Sequence, residues 1–147
     1  TCRPDSRGEL TLRSPDPADK PVIRANYLDH PNDLRLMVEA AKIGRRIATQ
    51  SPLADIIEEE LRPGPAATTD DAIIANIRAT ASTVFHPCGT AKMGTDAMAV
   101  LDPELRVRGV DGLRVADASV FPLIPSPNIQ PAVMMVAERA AAFLRAG

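Results

Sequence analysis

The chain has 147 residues, of which 45% are hydrophobic and 24% charged, a composition that fits a folded globular domain and excludes a disordered one. Seventeen Lys and Arg residues against nineteen Asp and Glu residues give a formal net charge of -2, which provides no basic surface for nucleic acid. Apolar runs are too short to cross a bilayer, and Cys2 and Cys88 lack disulfide or zinc spacing. We therefore expect no nucleic-acid partner, no membrane-spanning segment, no metal and a reducing, cytoplasmic location.

The first thirty residues predict two short strands. In the segment 8–14, Leu10 and Leu12 alternate with polar residues, which is typical of a half-buried strand, and the Ser-Pro-Asp-Pro run that follows indicates a turn. Residues 22–28 have the composition of a second short strand.

Three helices are expected next. Asn32 or Asp33 is expected to cap the first, which runs to about Thr49. A short amphipathic helix is predicted to open at Ser51-Pro52 and to end at the Pro-Gly-Pro run 63–65. Acidic capping groups predict a third helix over 70–81. The apolar positions that support these helices are Leu34, Val38, Ala41 and Ile47; Leu53, Ile56, Ile57 and Leu61; and Ile73, Ile74 and Ile77.

The last third of the sequence changes character. Residues 83–94 are punctuated by Gly and Pro yet too apolar for an exposed linker, so we predict a buried, shaped loop. Residues 100–107 and 113–116 predict a hairpin around a Gly-containing turn. Pro131 fits the first position of a final helix, whose apolar stripe is Val133, Val136, Ala137, Ala140 and Leu144. The order of strands, helices, hairpin and helix predicts an α+β fold.

Few residues are candidates for chemistry near neutral pH. Of the two histidines, His86 lies in the shaped loop, whereas His30 lies at a helix start. Taken alone, a histidine between Phe85 and Pro87 is more often a packed structural residue. Asn128, between prolines and just before a helix, is either a helix cap or a fixed hydrogen-bond donor, and on its own the cap is favoured.

Three segments resemble one known family. Residues 86–94, His-Pro-Cys-Gly-Thr-Ala-Lys-Met-Gly, resemble the H-P-x-G-T-x-x-M-G segment of glucose-methanol-choline (GMC) flavin oxidoreductases. Residues 105–119 are similar to that family's L-R-V-x-G-x-x-x-L-R-V-x-D-A-S stretch. The match continues through Pro122 and Asn128 to a helix that contains Met134 and Met135. The first eighty residues agree more loosely with the family's substrate-domain segment.

The resemblance implies an FAD-dependent oxidation of an alcohol to an aldehyde or ketone by hydride transfer to flavin N5. His86 matches the family's base, which removes the hydroxyl proton. Asn128 matches the residue that orients the substrate oxygen. Without the resemblance, Asp117 is as well explained as a turn residue. The positions that match the family's flavin contacts are Asp117, Ala118, Gln130 and Pro131.

One family feature is absent from the sequence. The G-x-G-x-x-G fingerprint that seats the FAD pyrophosphate does not occur in these residues. We therefore expect the carboxy-terminal portion of a longer enzyme, inactive and free of FAD when alone. Residues 1–112 would be the later half of the substrate-binding domain, with short antiparallel strands and helices on one face. Residues 113–147 would be a closing strand and helix whose apolar face packs on an FAD domain or, failing that, on another copy of the chain.

Two other functions stay open from the residues alone. A cofactor-free binding or scaffold module would explain the missing fingerprint, although the intact His86 and Asn128 weigh against it. A flavin-containing lyase of the same family would share the same residues. The sequence leaves open which alcohol is the substrate and whether the enzyme is an oxidase or a dehydrogenase.

Overall fold

The structure is a computed structural model, and it describes residues 1–126 and 128–146. Two short strands pair as a two-stranded sheet, and the remaining regular structure is helical. The mixed content agrees with the expected α+β class. The elements in chain order are β1 (Glu9–Thr11), β2 (Val22–Arg24), α1 (Pro31–Ala48), α2 (Asp70–Thr80), a short 3₁₀ helix (Ala118–Val120) and α3 (Gln130–Ala146).

The chain folds as two compact units. The first comprises Arg3–Gly8 and Ile23–Thr83, and the second comprises Glu9–Val22 and the chain from Val84 onward. The expected division at residues 112 and 113 concerns packing on a further domain, and it stays a prediction. No helix in the described ranges combines the length and the apolar composition needed to cross a membrane.

Both predicted strands are present, but the expected half-burial of the first is wrong. All three residues of β1 are exposed, and Leu12 directly after it is 82% exposed. Within the described residues no third strand joins the sheet. A two-stranded ribbon leaves much of its side-chain surface in solvent, so alternation of apolar residues does not produce burial here.

Helix α1 ends at Ala48, one residue before the expected end. Its cap is His30, whose Nδ1 accepts a hydrogen bond from the N–H of Asn32 at 3.2 Å. The predicted cap, Asn32 or Asp33, is wrong because both side chains bind the amino-terminal segment instead. Asp33 accepts a hydrogen bond from the main-chain N–H of Asp5 at 2.8 Å, and the Asn32 amide donates to the Asp5 carboxylate at 2.5 Å.

Helices α1 and α2 pack together in the first unit. The predicted helix over 70–81 is confirmed as α2, capped by Thr69, whose hydroxyl accepts from the N–H of Ala72 at 3.2 Å. Val38 from α1 is buried against Ile73 and Ile77 from α2. The 3.6-residue spacing of these apolar positions therefore predicted the contact face correctly, but Ile47, expected on the same face of α1, is 56% exposed.

The short helix predicted from Ser51-Pro52 onward is wrong. Residues 51–56 form turns, and residues 57–61 have no regular structure. Ile56 and Leu61, two of the four apolar residues on its supposed face, are 77% and 78% exposed. A helix this short is marginal unless its apolar face packs on a neighbour.

The second unit holds a larger core in mostly irregular chain. The predicted hairpin is present as single bridges rather than as strands: Arg106 pairs antiparallel with Arg114, and the Val107 N–H donates to the Leu113 carbonyl at 2.9 Å. Its turn contains Gly109 and Gly112, at φ +79 and +75, conformations that side chains disfavour. The core residues are Leu101, Leu105, Val120, Phe121, Val136 and Ala140.

The final helix starts one residue before the expected Pro131. Val136 and Ala140 are buried, and Val133 packs against the same core. Ala137 and Leu144, which were expected on the same stripe, are exposed, Leu144 by 66%. The buried stripe of α3 is therefore narrower than predicted.

Candidate active site

His86 lies in an irregular loop of the second unit. Main-chain hydrogen bonds fix the part after it: Ala91 N–H donates to the Ser119 carbonyl at 3.1 Å, and Met93 N–H donates to the Val120 carbonyl at 2.8 Å. The loop thus lies alongside the 3₁₀ helix Ala118–Val120.

This loop is only partly buried. Val84 and Phe85 are 76% and 78% exposed, His86 is half-buried, and Cys88 and Met93 pack against the core. The expectation of a buried loop is therefore wrong for its first residues, and the later residues are half-buried except for the exposed Pro87 and Thr90.

Gly89 has a specific steric role in this loop. Its φ of +90 is a conformation that side chains rarely adopt, and a Cβ atom built on it would lie 3.2 Å from the Phe121 carbonyl oxygen. The glycine lets the loop approach the segment that follows the 3₁₀ helix.

Asp117 caps the 3₁₀ helix. Its Oδ1 accepts hydrogen bonds from the Ser119 hydroxyl at 2.5 Å and from the Ser119 N–H at 2.8 Å. These two bonds, the hydroxyl first, hold the pKa of the Asp117 carboxyl below its ordinary value. The carboxylate is therefore ionised and acts as an acceptor. Sequence reasoning missed Ser119, although the Asp-x-Ser spacing is typical of an Asx turn.

Asn128 is exposed and lies just before α3. Its Oδ1 accepts a hydrogen bond from the Gln130 N–H at 3.0 Å, which is the capping role favoured from its sequence position. That bond also fixes which atom of the amide is oxygen. The Nδ2 group has no hydrogen-bond partner among the described residues. The side chain thus caps the helix with one atom and leaves a donor available.

One core supports all three segments that carry predicted site residues. Met93 comes from the His86 loop, Ala118 from the 3₁₀ helix, and Val133 from the first turns of α3. In the part of the chain that the structure describes, however, no hydrogen bond joins His86 to Asn128 or to Asp117. Gln130 and Pro131 are exposed at the start of α3.

An open surface cavity lies elsewhere in the second unit. It has a volume of about 310 Å³ and surrounds the hairpin turn, with Arg106, Arg108 and Arg114 on its walls. None of the predicted site residues lines it. No group of His, Cys, Asp and Glu side chains in residues 1–126 and 128–146 is arranged to hold a metal ion.

Comparison with known proteins identifies the family. Residues 4–137 match the model of the GMC oxidoreductase family. The chain belongs to this family, and it corresponds to a carboxy-terminal portion of it. The resemblance of the loop 86–94 and the segment 105–119 is thereby confirmed.

Individual relatives agree with the assignment. The chain is 44% identical over 141 residues to alcohol dehydrogenase [acceptor] from Pseudomonas putida. The aligned region covers 96% of this chain and 26% of that relative. It is 46% identical over 138 residues to oxygen-dependent choline dehydrogenase from Rhizobium rhizogenes, covering 92% and 25% respectively. The chain therefore spans about a quarter of the length of the curated relatives it matches.

A solved structure confirms the fold. Pyridoxine 4-oxidase from Mesorbium loti aligns with a TM-score of 0.92 and 33% identity, over 99% of this chain and 28% of that one. The α+β arrangement is thus that of a GMC oxidoreductase segment.

Proposed function

We propose that the chain is the carboxy-terminal part of an FAD-dependent enzyme that oxidises an alcohol to an aldehyde or ketone, with His86 as the base and Asn128 orienting the substrate oxygen. The observation that carries the proposal is the support of three motif segments by one core in a chain of this family. The named activities of the relatives, oxidation of an alcohol, of choline and of pyridoxine, favour a CH-OH donor.

His86 has the chemistry that alcohol oxidation needs. The hydroxyl proton must be removed as hydride leaves the carbon, and a neutral imidazole accepts a proton near neutral pH. The half-buried position of His86, beside the exposed Phe85, leaves it accessible to a small molecule.

Asn128 suits the orientation of the substrate oxygen. Its Oδ1 is engaged by the Gln130 N–H, which fixes the amide plane, and its Nδ2 keeps two N–H donors for a ligand. An uncharged donor cannot take up the proton, so its part is to hold the oxygen while His86 accepts the proton.

The chemistry of the side chains fits part of FAD. The ionised Asp117 accepts hydrogen bonds from hydroxyl groups and repels phosphate, so with the Ala118 main chain it fits the ribityl region. The first turn of α3, with Gln130 and Pro131, carries no acidic side chain, so its positive end favours an anionic ring. FAD, when bound, supplies the hydride acceptor at N5. Residues that bind the pyrophosphate would come from the rest of the full-length protein.

The rest of the enzyme is also the proposed partner of α3. Met134, Met135 and Leu144 are each more than 60% exposed on this helix. Met134 and Met135 are adjacent on this helix, and exposed apolar side chains that lie together commonly mark an interface. We assign them to packing on the FAD-binding portion, and pairing of two copies of this chain is the alternative when that portion is missing.

The first test replaces the base in the full-length protein. His86→Ala is expected to lower turnover by about two orders of magnitude or more, while FAD stays bound, because a positioned base is lost. Turnover with a primary alcohol and the visible flavin spectrum measure the two effects. His30→Asn is the matched control, since asparagine can also cap α1, and it should leave turnover unchanged. Loss of FAD from His86→Ala, or normal turnover, would contradict the proposed role.

The second test separates the two functions of Asn128. Asn128→Asp keeps an oxygen that accepts from the Gln130 N–H but removes the Nδ2 donor. We expect turnover to fall by roughly tenfold to a hundredfold, because the hydrogen bond from Nδ2 to the substrate oxygen is lost. Thermal stability should stay unchanged. Asn128→Ala removes both functions and should also lower stability. Equal turnover in Asn128→Asp and the unmodified enzyme would leave Asn128 as a cap only.

A further inference from the structure

Arg45 on α1 contacts an irregular segment of the first unit at three points. Its Nε lies 2.9 and 3.1 Å from the two carboxylate oxygens of Glu60. One terminal nitrogen donates to the Ala67 carbonyl at 2.8 Å, and the other donates to the Gly64 carbonyl at 3.1 Å. A single guanidinium thus holds a side chain and two main-chain carbonyls.

The environment makes these bonds stronger than ordinary surface contacts. The Arg45 and Glu60 side chains are 30% and 32% exposed, so solvent screens them less than a fully exposed pair. All the bonds are charge-assisted on the donor side, and the planar guanidinium suits several acceptors at once. The Gly64 carbonyl also accepts from the Ala67 N–H at 3.1 Å, so Arg45 supports a turn that closes on itself.

A second cation on α1 fixes the end of the same segment. Lys42, one turn before Arg45, lies 2.8 Å from the carboxylate of Asp70, the first residue of α2. The stretch from Glu60 to the start of α2 is therefore tied to α1 by two basic side chains on neighbouring turns.

The preceding stretch, residues 51–59, is held differently. All nine residues are exposed. Its hydrogen bonds are local, such as Ser51 Oγ to the Asp55 carboxylate at 3.0 Å and Ala54 N–H to the Gln50 carbonyl at 2.9 Å. Between this stretch and α1, the described residues show no hydrogen bond or ion pair.

We propose that Arg45 is a clasp that makes residues 60–69 a fixed anchor, from which residues 51–59 project as a hinged arm. The arm can therefore change conformation without separating α1 from α2. Glu60, Gly64 and Ala67 stay in place while the Arg45 guanidinium binds them, so a movement of the arm does not reach the two helices.

Hydrogen exchange measured by mass spectrometry on the full chain tests the proposal. In the unmodified chain, the hydrogen-bonded amides of Ala67 and Thr68 should exchange slowly, whereas those of Ala54, Asp55 and Ile56, which make only local hydrogen bonds, should exchange fast. Arg45→Gln should accelerate exchange in 61–69 by roughly tenfold to a hundredfold, since charge-assisted hydrogen bonds are lost, and should leave α2 unchanged. Arg46→Gln is the matched control, because Arg46 is exposed and adjacent, and it should change neither region.

Two further variants keep the test decisive if Arg45→Gln does not fold. Arg45→Lys retains the positive charge but loses the planar guanidinium that reaches several acceptors. Glu60→Gln leaves the hydrogen bonds from Arg45 to the Gly64 and Ala67 carbonyls intact. Each should accelerate exchange in 61–69 less than Arg45→Gln does. Equal acceleration in α2 would mean that Arg45 supports the whole unit, and unchanged exchange in 61–69 would mean that it holds nothing. Either result, or slow exchange in 51–59 of the unmodified chain, overturns the proposal.

Discussion

The two units of the chain differ in how much regular secondary structure they contain and in how many apolar residues they bury. The first contains both long paired helices, yet its buried apolar residues are only Val38, Ile73 and Ile77. The second is largely irregular outside α3, yet eight apolar residues of its described part are buried, among them Leu101 and Val120 with no exposed surface. Regular secondary structure and apolar burial are therefore separate properties in this protein.

Charged side chains fix irregular segments in both units, but to different partners. In the first unit they tie such segments to α1: Asp33 holds the amino-terminal segment, and Arg45 and Lys42 hold the chain before α2. In the second unit Arg108 donates to the Gly94 carbonyl at 2.6 Å, and main-chain bonds such as that from Met93 N–H to the Val120 carbonyl also join one loop to the next. The predicted site residues all lie in the second unit, on irregular segments that an apolar core keeps in place.

The largest expected effect follows from this difference in cores. Leu101→Ala should lower the free energy of unfolding by about 4 kcal/mol, because three chain segments enclose the cavity and prevent its collapse. Ile73→Ala should cost about 2 kcal/mol, because two helices alone can close on the space left behind. The chain has no tryptophan, so urea unfolding followed by far-UV circular dichroism measures both.

A matched surface variant calibrates that comparison. Leu144→Ala removes the same atoms from a residue of α3 that is 66% exposed, and it should change stability by less than about 0.5 kcal/mol. A larger loss for Ile73→Ala than for Leu101→Ala would reverse the ranking of the two cores.

Periodicity predicted the helices well because each carries a signal in its own residues. Positions at helical spacing such as Val38, Ile73 and Val136 became buried, and α1, α2 and α3 lie within three residues of their expected bounds. The same signal failed over residues 51–61, because spacing shows that a face exists but not that a neighbour covers it. The alternation at Leu10 and Leu12 failed for the same reason.

The candidate site could be predicted as segments rather than as geometry. The family motif singled out His86, Asn128 and Asp117, and their roles stay predictions. The partners of Asp33 and Arg45 could not be predicted, because 28 residues separate Asp33 from Asp5 and 15 separate Arg45 from Glu60. Pairs of charges at such distances leave no periodic pattern in a single sequence.

The acid stability of the first unit gives a smaller and more specific effect. Burial alone raises the pKa of Asp33, but hydrogen bonds from the Ser6 hydroxyl and from the N–H groups of Asp5 and Ser6, with the nearby His30, lower it overall below its ordinary 3.8. A lowered pKa in the folded state means that the carboxylate stabilises the fold above pH 3.8 and loses this contribution as pH falls through the folded value. Unfolding measured from pH 6 down to pH 2 should therefore show stability falling at the acid end.

Asp33→Asn assigns that loss to the carboxylate. Asparagine still accepts one hydrogen bond from Asp5 or Ser6, but it carries no charge, so the variant should be about 1–3 kcal/mol less stable near neutral pH. It should also lose less stability than the unmodified chain between pH 4 and pH 2, because it has no proton to gain. Asp29→Asn, at an exposed neighbouring position, should follow the unmodified chain throughout. If the stability of Asp33→Asn and that of the unmodified chain fall in parallel with pH, other carboxylates cause the loss of stability in acid. The polar contacts at Asp33 would then not distinguish the first unit from the second.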